Sequence, residues 1–600
     1  MSKIKVSDYI AKRLKEHYGV EHFFMVSGGG AMHLNDSFGR FIPNYIANHH
    51  EQACAIAAEG YARVNQRLAL VNITTGPGGL NCLNGVFGQW TDSVPVLYVS
   101  GQVKFTTTIA SCPEIPLRQL GDQEVDIISV VKPLTKYAKM ITEPNEIKYH
   151  LDKAIYEATT GRFGPVWLDI PMNVQGAMIE EDELIEFKPS KAEELRSLGA
   201  EKVIEKLLTA KRPLIIAGQG IRLAKQEETF YKLIEKLQIP VVTTFNGFDL
   251  MEDTNPLYVG RIGTIGQRAG NFALQNADVI LCLGTRNNIR QASYNWENFA
   301  KNAYKIVVDI DKAELDKPTV VPDMKICADL AEFLPNLYSK ISSSPPHLLT
   351  SSTNWLDFCQ NLKSKFSIEN FNEYEQKEVI DPYIFTNELT KVMSENDIFV
   401  MANGSACVCT FQSGVVKKGQ RFILNSGDAS MGYDLPAAIG ACLEGKGRNT
   451  ICLAGDGSIM MNLQELQTIK HNNLPIKIFV IHNDGYASIK QTQKNFFDGR
   501  MVGSGTDSGV SVPDFVKIGQ AFGLKTERIE NPTQIKEKLE KVLSSKESII
   551  CEVMVKSDYG FAPKLSARKL EDGTMVSPSL EDMFPFLDRK KFEENIIWKN

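Results

Sequence analysis

Residues 450–485 read TICLAGDGSIMMNLQELQTIKHNNLPIKIFVIHNDG. Thr450–Gly455 is an apolar run of strand type, with Gly455-Asp456-Gly457 at its carboxyl end. From Ser458 onward, apolar residues at Ile459, Met460, Leu463, Leu466 and Ile469 follow a helical spacing. Leu474-Pro475 breaks that helix, and a second apolar strand, 476–481, leads to Asn483. A strand–helix–strand crossover within one parallel sheet returns the chain to the same end of the sheet. The pattern therefore predicts Asp456 and Asn483 side by side, past the carboxyl ends of two strands. A carboxylate and an amide carbonyl are hard oxygen donors suited to Mg²⁺ or Ca²⁺, and Mg²⁺ commonly completes its shell with phosphate oxygens. Gly455 and Gly457 let backbone approach a phosphate, and a helix starting near Ser458 aims free N–H groups at it. An isolated Gly-Asp-Gly is a common turn; the intervening helix and the Asn after the next strand turn it into a candidate site.

The same alternation extends outward in both directions. Strand-like runs occur at 69–74, 95–101 and 165–171, then at 212–220, 239–245, 278–284 and 305–311, then at 397–404 and 548–555, with helical patterns between them. This is the signature of parallel sheets with crossover helices. Two stretches read as boundaries: the charged EEDELIEFKPSKAEEL (180–195) and the Ser- and Pro-rich SKISSSPPHLLTSST (339–353). The expected architecture is α/β: three doubly wound parallel-sheet domains over residues 1–185, 190–340 and 355–600.

At about 100–200 residues per domain, a 600-residue chain fits that division. Hydrophobic residues at 43% and charged residues at 23% describe an ordinary globular composition. The net charge of −6 offers no bulk attraction to nucleic acid or anionic membranes. The start, MSKIKVSDYIAKRLKEHYGV, lacks the apolar core of a signal peptide. No stretch reaches the roughly 18 apolar residues of a membrane-spanning helix. A cytoplasmic location follows as the expectation, with no nucleic-acid or membrane partner. The 11 cysteines are scattered and read as small buried hydrophobes; Cys407 and Cys409 are too isolated for a zinc site.

The 450–485 segment resembles the diphosphate-binding motif of thiamine diphosphate (ThDP)-dependent enzymes: GDG, a spacer, then N. The resemblance implies Asp456, Asn483 and the Gly485 carbonyl as Mg²⁺ ligands and places Ser458 against the diphosphate. Further motifs of the same family occur elsewhere. NHHEQACAIAAEGYAR (48–63) is similar to the segment whose glutamate hydrogen-bonds N1′ of the cofactor's aminopyrimidine, which implies Glu51 as the catalytic carboxylate; Glu59 reads as structural. GGGAMHLNDSF (28–38) resembles the glycine turn near the thiazolium, with Gly29 and Gly30 approaching the cofactor. In TTGPGGLNCLNGVFGQWTDSVPVLYVSGQV (74–103), Gln102 matches a position lining the active site in the acetolactate synthase branch. SGDASMGYDLPAAIGA (426–441) resembles that branch closely; Met431 occupies the wedge between the cofactor's two rings, and Gly404 and Ser405 match diphosphate-side positions.

In this family each active site lies between the Glu-bearing domain of one subunit and the GDG domain of another, which implies a homodimer or homotetramer. The implied chemistry is decarboxylation of a 2-keto acid, pyruvate first of all, with transfer of the acyl carbanion to a carbonyl acceptor. The acceptor region departs from the pattern. Ser488 and Thr492, in NDGYASIKQTQKNFF (483–497), replace the Met and Trp of acetolactate synthases, and Asp122 replaces a Phe in RQLGDQEVD (118–126). A wider, more polar pocket follows, suited to a bulky polar acceptor such as a keto-sugar nucleotide. A non-oxidative decarboxylase, a ThDP-dependent C–C hydrolase and a catalytically inactive homologue are the alternatives.

In the middle domain, GQG (218–220), GRIGTIG (260–266), GTRNNIR (284–290) and VVDIDKAEL (307–315) line up with flavin-contacting stretches of acetolactate synthases. The implied FAD contacts are Gly218, Gly220, Arg286, Arg290 and Asp309, in a structural role. Relatives without flavin keep the same domain as scaffold, so FAD stays open. The tail KLSARKLEDGTMVSPSLEDMFPFL (564–587) reads either as a lid over the cleft or as a surface extension.

Overall fold

A computed structural model describes residues 3–189, 199–342, 353–368, 378–569, 572 and 574–598. The stretch read as the second linker lies largely at 343–352, and the end of the first at 190–195, both outside the described residues. The chain forms three six-stranded parallel sheets flanked by helices.

The first sheet contains Phe23–Met25, Tyr45–Ala47, Ala69–Ile73, Val96–Gln102, Tyr137–Met140 and Val166–Pro171. The third contains Ile398–Met401, Arg421–Ile423, Thr450–Gly455, Lys477–His482, Lys525–Ile529 and Ile549–Met554. Both run in the spatial order second, first, third, fourth, sixth, fifth, so the two cofactor-type domains are topological copies. The middle sheet contains Pro213–Ala217, Val241–Thr243, Tyr258–Arg261, Val279–Leu283, Tyr304–Asp309 and Met324–Cys327, in the order third, second, first, fourth, fifth, sixth. That is the dinucleotide-binding order, with its switch point between Pro213–Ala217 and Val279–Leu283. Helices cover both faces of each sheet, which is why the strands read as near-continuous apolar runs.

The first and third domains share one core that runs from Tyr98 and Trp167 through Ile439 to Cys452 and Ile478. At its centre the helix Glu51–Asn65 crosses the helix Asp434–Glu444. A Cβ on Gly60 would stand 2.1 Å from the Ala437 carbonyl oxygen, and one on Gly440 1.8 Å from that of Ala57. Only glycine permits such a backbone approach. A buried polar chain secures the crossing. Arg63 pairs with Glu59 (2.9 Å) and Asp92 (2.6 Å), and the Tyr433 hydroxyl donates to Glu59 Oε1 (3.1 Å). Glu59 is therefore part of the interface between domains, and burial pushes its carboxyl up to about 7.

Two expectations change. The helix predicted from Ser458 to Asn473 is two short helices, Asp456–Ile459 and Glu465–His471. Between them Asn462 turns its side chain to the Gly432 carbonyl (2.7 Å), and Met460, placed on the apolar stripe by spacing, is exposed. The tail does not run free, and its Lys564, Phe584 and Phe586 line a groove against the helix Ala487–Phe496. The helix Arg268–Asn276 bonds it to the middle domain: Arg268 donates to the Met583 carbonyl (3.0 Å), Asn271 to that of Leu580 (3.0 Å) and Asn276 to that of Asn595 (2.8 Å). All 11 cysteines are free, Cys327 being the exposed one. Among the described residues no helix is long and apolar enough to cross a membrane.

Candidate functional site

The GDG turn leaves the strand Thr450–Gly455, and Asn483 follows its parallel neighbour Lys477–His482. Asp456 is fully buried. Its Oδ2 accepts from the backbone N–H of Asn483 (2.8 Å) and of Gly485 (3.1 Å), and its Oδ1 from Gly457 N–H (2.7 Å). Burial raises its pKa, and these N–H donors work against that rise. The Asn483 amide oxygen stands 3.3 Å from Asp456 Oδ1 and 2.7 Å from the Gly485 carbonyl oxygen. Three oxygens thus converge with no donor between them. Either a 180° turn of the amide or a hard cation relieves the repulsion, so the donor set fits Mg²⁺. Gly485 holds its carbonyl there with φ +109°, a left-handed conformation.

On the other side, the Asn483 amide nitrogen reaches Ser405 Oγ (3.2 Å) and the Tyr559 hydroxyl (3.0 Å), and Tyr559 also donates to Ser405. Ser405 lies at the start of the ten-residue helix Gly404–Ser413. Gly404 has φ +59° with open space where a side chain would project. This helix start, rather than the four-residue turn after GDG, offers free N–H groups to an anion beside Asn483. Ser458 is already engaged: it donates to Asp434 Oδ2 (2.7 Å) and accepts from Gly432 N–H (2.9 Å). It shapes the loop carrying Met431, whose side chain is half-buried rather than part of the core. A Cβ on Gly455 would meet only Ser458 Cβ at 4.0 Å, an ordinary contact, whereas a Cβ on Gly457 would meet the Tyr486 ring at 2.4 Å.

Glu51 begins the helix Glu51–Asn65, with His50 as its cap. Oε2 accepts from Asn81 Nδ2 (2.9 Å), while Oε1 has no hydrogen bond among the described residues and faces the glycine turn at Gly78. The carboxyl is mostly buried, so one oxygen is tethered and one is available. Asn81 stands inside the 74–103 motif but carried no signal of its own.

The turn Gly28–Gly30 divides. A Cβ on Gly30 would stand 2.1 Å from Thr75 Oγ1, so this glycine is required by packing; Gly29 has nothing within 4 Å and is the one open to a ligand. Gln102 is committed: its amide donates to the Val125 carbonyl and to Asp169 Oδ2 (both 3.0 Å) and its oxygen accepts from Val103 N–H (3.0 Å). Gln102, read by resemblance as a catalytic residue, thus has both its amide donors engaged inside the first domain.

The acceptor-pocket residues are only partly brought together. On the helix Ala487–Phe496, the groove beside Asn483 is lined by Ala487, Lys490, Gln491, Lys494, Asn495 and Phe496, and not by Ser488 or Thr492. Ser488 and Thr492 occupy the adjoining stripe, and Thr492 is exposed and donates to the Ser488 carbonyl (3.1 Å). Asp122 is exposed, on a first-domain loop whose Gln123 carbonyl packs against Gly76.

In the middle domain a cavity sits at the switch point, lined by Gly220, Arg286 and Asp309 and closed by Asp92 and Ser93 of the first domain. Gly218 and Gly220 pack on the turn at Gly284. Burial pushes Asp309 up to about 6. Arg286 approaches Asp92 at 3.6 Å, yet Asp92 Oδ1 and the neighbouring Asn246 Oδ1 are buried acceptors without a hydrogen bond among the described residues. Orphaned acceptors lining a switch-point cavity fit a ligand rich in hydroxyl and N–H donors, FAD among them. Arg290 is not part of the lining; its guanidinium lies 4.7 Å over the Phe245 ring.

Comparison with known sequences agrees with this arrangement domain by domain. Residues 4–129 match "Thiamine pyrophosphate enzyme, N-terminal TPP binding domain", 200–337 the central domain and 402–553 the C-terminal TPP binding domain of the same family. The chain is 31% identical to the probable acetolactate synthase large subunit of Methanocaldococcus jannaschii, over 92% of each chain. It is 31% identical to the acetolactate synthase large subunit of Lactococcus lactis, over 94% of this chain and 96% of that one. The corresponding protein of Cyanidium caldarium is 28% identical over 95% and 96%. With its three sheets, its GDG…N turn and its glutamate helix in the family's order, this chain belongs to the thiamine pyrophosphate enzymes, in their acetolactate synthase-like branch.

Proposed function

We propose that this protein is a cytoplasmic, Mg²⁺- and ThDP-dependent carboligase that takes an acyl group from a 2-keto acid, pyruvate first of all, and delivers it to a carbonyl acceptor bulkier and more polar than pyruvate, such as a keto-sugar nucleotide. The observation that carries this reading is the convergence of Asp456 Oδ1, the Asn483 amide oxygen and the Gly485 carbonyl beside the helix start at Gly404–Ser405. Those three oxygens would hold Mg²⁺, and the N–H groups of that helix start would take the diphosphate. Bound ThDP supplies the thiazolium chemistry that lets a 2-keto acid lose CO₂.

The chain's own residues do the rest. Glu51, tethered through Oε2, presents Oε1 to hold or release a proton at N1′ of the aminopyrimidine. Gly29 leaves backbone room near the reacting carbon, and Met431 supplies an adaptable apolar wedge. Because Glu51 and Asp456 stand in different domains, a homodimer or homotetramer that opposes them across subunits completes the reading. The middle-domain cavity would hold FAD or a similar nucleotide as a structural element, contacted by Gly220, Arg286 and Asp309.

The test is product mass spectrometry of pyruvate incubated with a panel of aldehydes and keto-sugars, with and without ThDP and Mg²⁺. Coupled products that require both support the proposal. Free aldehyde alone would make the protein a decarboxylase, and no CO₂ release from any 2-keto acid would reject the catalytic reading.

A further inference from the structure

Beside Asn483 the cleft opens into a groove of about 1270 Å³, above the roughly 300–1,000 Å³ of ordinary small-ligand sites. A three-carbon keto acid would leave most of it empty. One wall is the helix Ala487–Phe496; the other is the returning segment from Ser557 to Ala567, joined by Phe584 and Phe586.

The charges on these walls are not equivalent. Lys490 is spent on the carbonyl (2.5 Å) and carboxylate (3.3 Å) of Asp484, and Lys494 on Asp558 (3.0 Å). Lys564 has no ion pair or hydrogen bond to its ammonium among the described residues. It is half-buried, and burial lowers its pKa, with no carboxylate among the described residues acting against it. Its backbone is pinned on both sides: Lys564 and Phe584 exchange N–H···O bonds (2.8 and 2.7 Å), and Leu565 N–H donates to the Thr264 carbonyl (2.7 Å). A desolvated cation fixed in a wall without a counter-ion is unfavourable until an anion arrives. The neighbouring Phe584 is 43% exposed and meets Phe586 edge to face, leaving an apolar surface beside the cation.

We infer that Lys564 binds a phosphoryl group of the acceptor, so that the acceptor is a phosphorylated carbonyl compound whose remote end packs on Phe584. The inference rests on the carboligase reading for the reaction, while the binding site itself stands on the groove. The phosphoryl group has two chemical sources, a sugar phosphate or a nucleoside-diphosphate-linked sugar.

Calorimetry on protein saturated with ThDP and Mg²⁺ separates them, using glyceraldehyde, glyceraldehyde 3-phosphate and a uridine diphosphate-linked sugar as probes. A charge-assisted contact predicts at least tenfold tighter binding of the phosphorylated probes than of glyceraldehyde. Lys564→Met collapses that ratio toward one, and Lys564→Arg restores most of it. Tighter binding of the nucleotide probe, lost in Phe584→Ala, assigns the source as a nucleotide; equal binding of both phosphorylated probes assigns it as a simple phosphate ester. Equal affinities for glyceraldehyde and its phosphate, or an unchanged ratio in Lys564→Met, would overturn the inference. CO₂ release from pyruvate, measured separately, reports on the carboligase reading and can fail independently.

Discussion

Asp456 Oδ2 accepts the backbone N–H of Asn483 at 2.8 Å, so the two predicted metal ligands are tied together by the fold itself. One carboxylate oxygen organises the loop, and the other, which also accepts from Gly457 N–H (2.7 Å), faces the Asn483 amide oxygen. Asp456→Asn should separate these tasks, because an amide oxygen can still accept the two N–H groups while the negative charge is gone. The expected result is a folded protein whose Mg²⁺-supported ThDP affinity falls by about 100-fold. The thermal midpoint gained on adding ThDP and Mg²⁺ should shrink accordingly.

Glu51→Gln keeps the shape and removes the proton-exchanging group. Loss of a positioned acid–base residue typically costs about 10²–10⁴ in rate, and kcat for CO₂ release should fall in that range with ThDP binding nearly unchanged. Asn81→Ala removes the tether at Oε2 and should cost about tenfold, less than Glu51→Gln, because the carboxyl remains. Unchanged turnover in Glu51→Gln would reject its assignment.

Gly440→Ala places a methyl 1.8 Å from the Ala57 carbonyl oxygen at the crossing of two buried helices. Backbone cannot yield as a side chain tip does, so the cost should exceed the 1–3 kcal/mol typical of overpacking. Gly29→Ala, with nothing within 4 Å, should cost under about 1 kcal/mol and serves as the comparison. Thermal midpoints of the two variants check the ordering.

Asp169 is fully buried beneath Gln102, accepting from Ser100 (2.6 Å) and Gln102 (3.0 Å), and burial pushes its carboxyl up to about 7 from 3.8. Its folded pKa is raised, so between pH 4 and 7 the folded protein holds a proton that the unfolded chain has released. Its contribution to stability therefore falls as pH rises through that window, by at most about 1.4 kcal/mol per pH unit. Asp169→Asn should abolish this component, so the variant's midpoint relative to wild type should improve steadily from pH 4 to 7.

Much of the site was legible because its chemistry is local to motifs at strand ends. Asp456 and Asn483 meet where the crossover rule puts them, and Glu51 opens its helix as expected. Other roles were not legible. Gly30 and Gly457 carry the same letter as Gly29 and Gly455, and only their neighbours, Thr75 and the Tyr486 ring, separate packing glycines from open ones. Ser488 and Thr492 were placed by alignment to a pattern, but the groove is lined by Lys490, Lys494 and Asn495 of that helix. Tyr559 and Lys564 belong to no motif; they reach the cleft because the chain returns across it.

The amino-acid sequence alone determined the three-sheet architecture and the crossover that joins Asp456 to Asn483, since periodicity and turn chemistry act over a few residues and survive without tertiary context; its motifs carried the resemblance to the family. Tertiary structure alone decided what each polar group is free to do. Gln102 is spent on Asp169 and Val125, Ser458 on Asp434, Arg290 lies over Phe245, and Lys564 is left without a counter-ion among the described residues. A side chain's availability depends on partners far away in the chain, and a linear pattern does not encode which of those partners arrive.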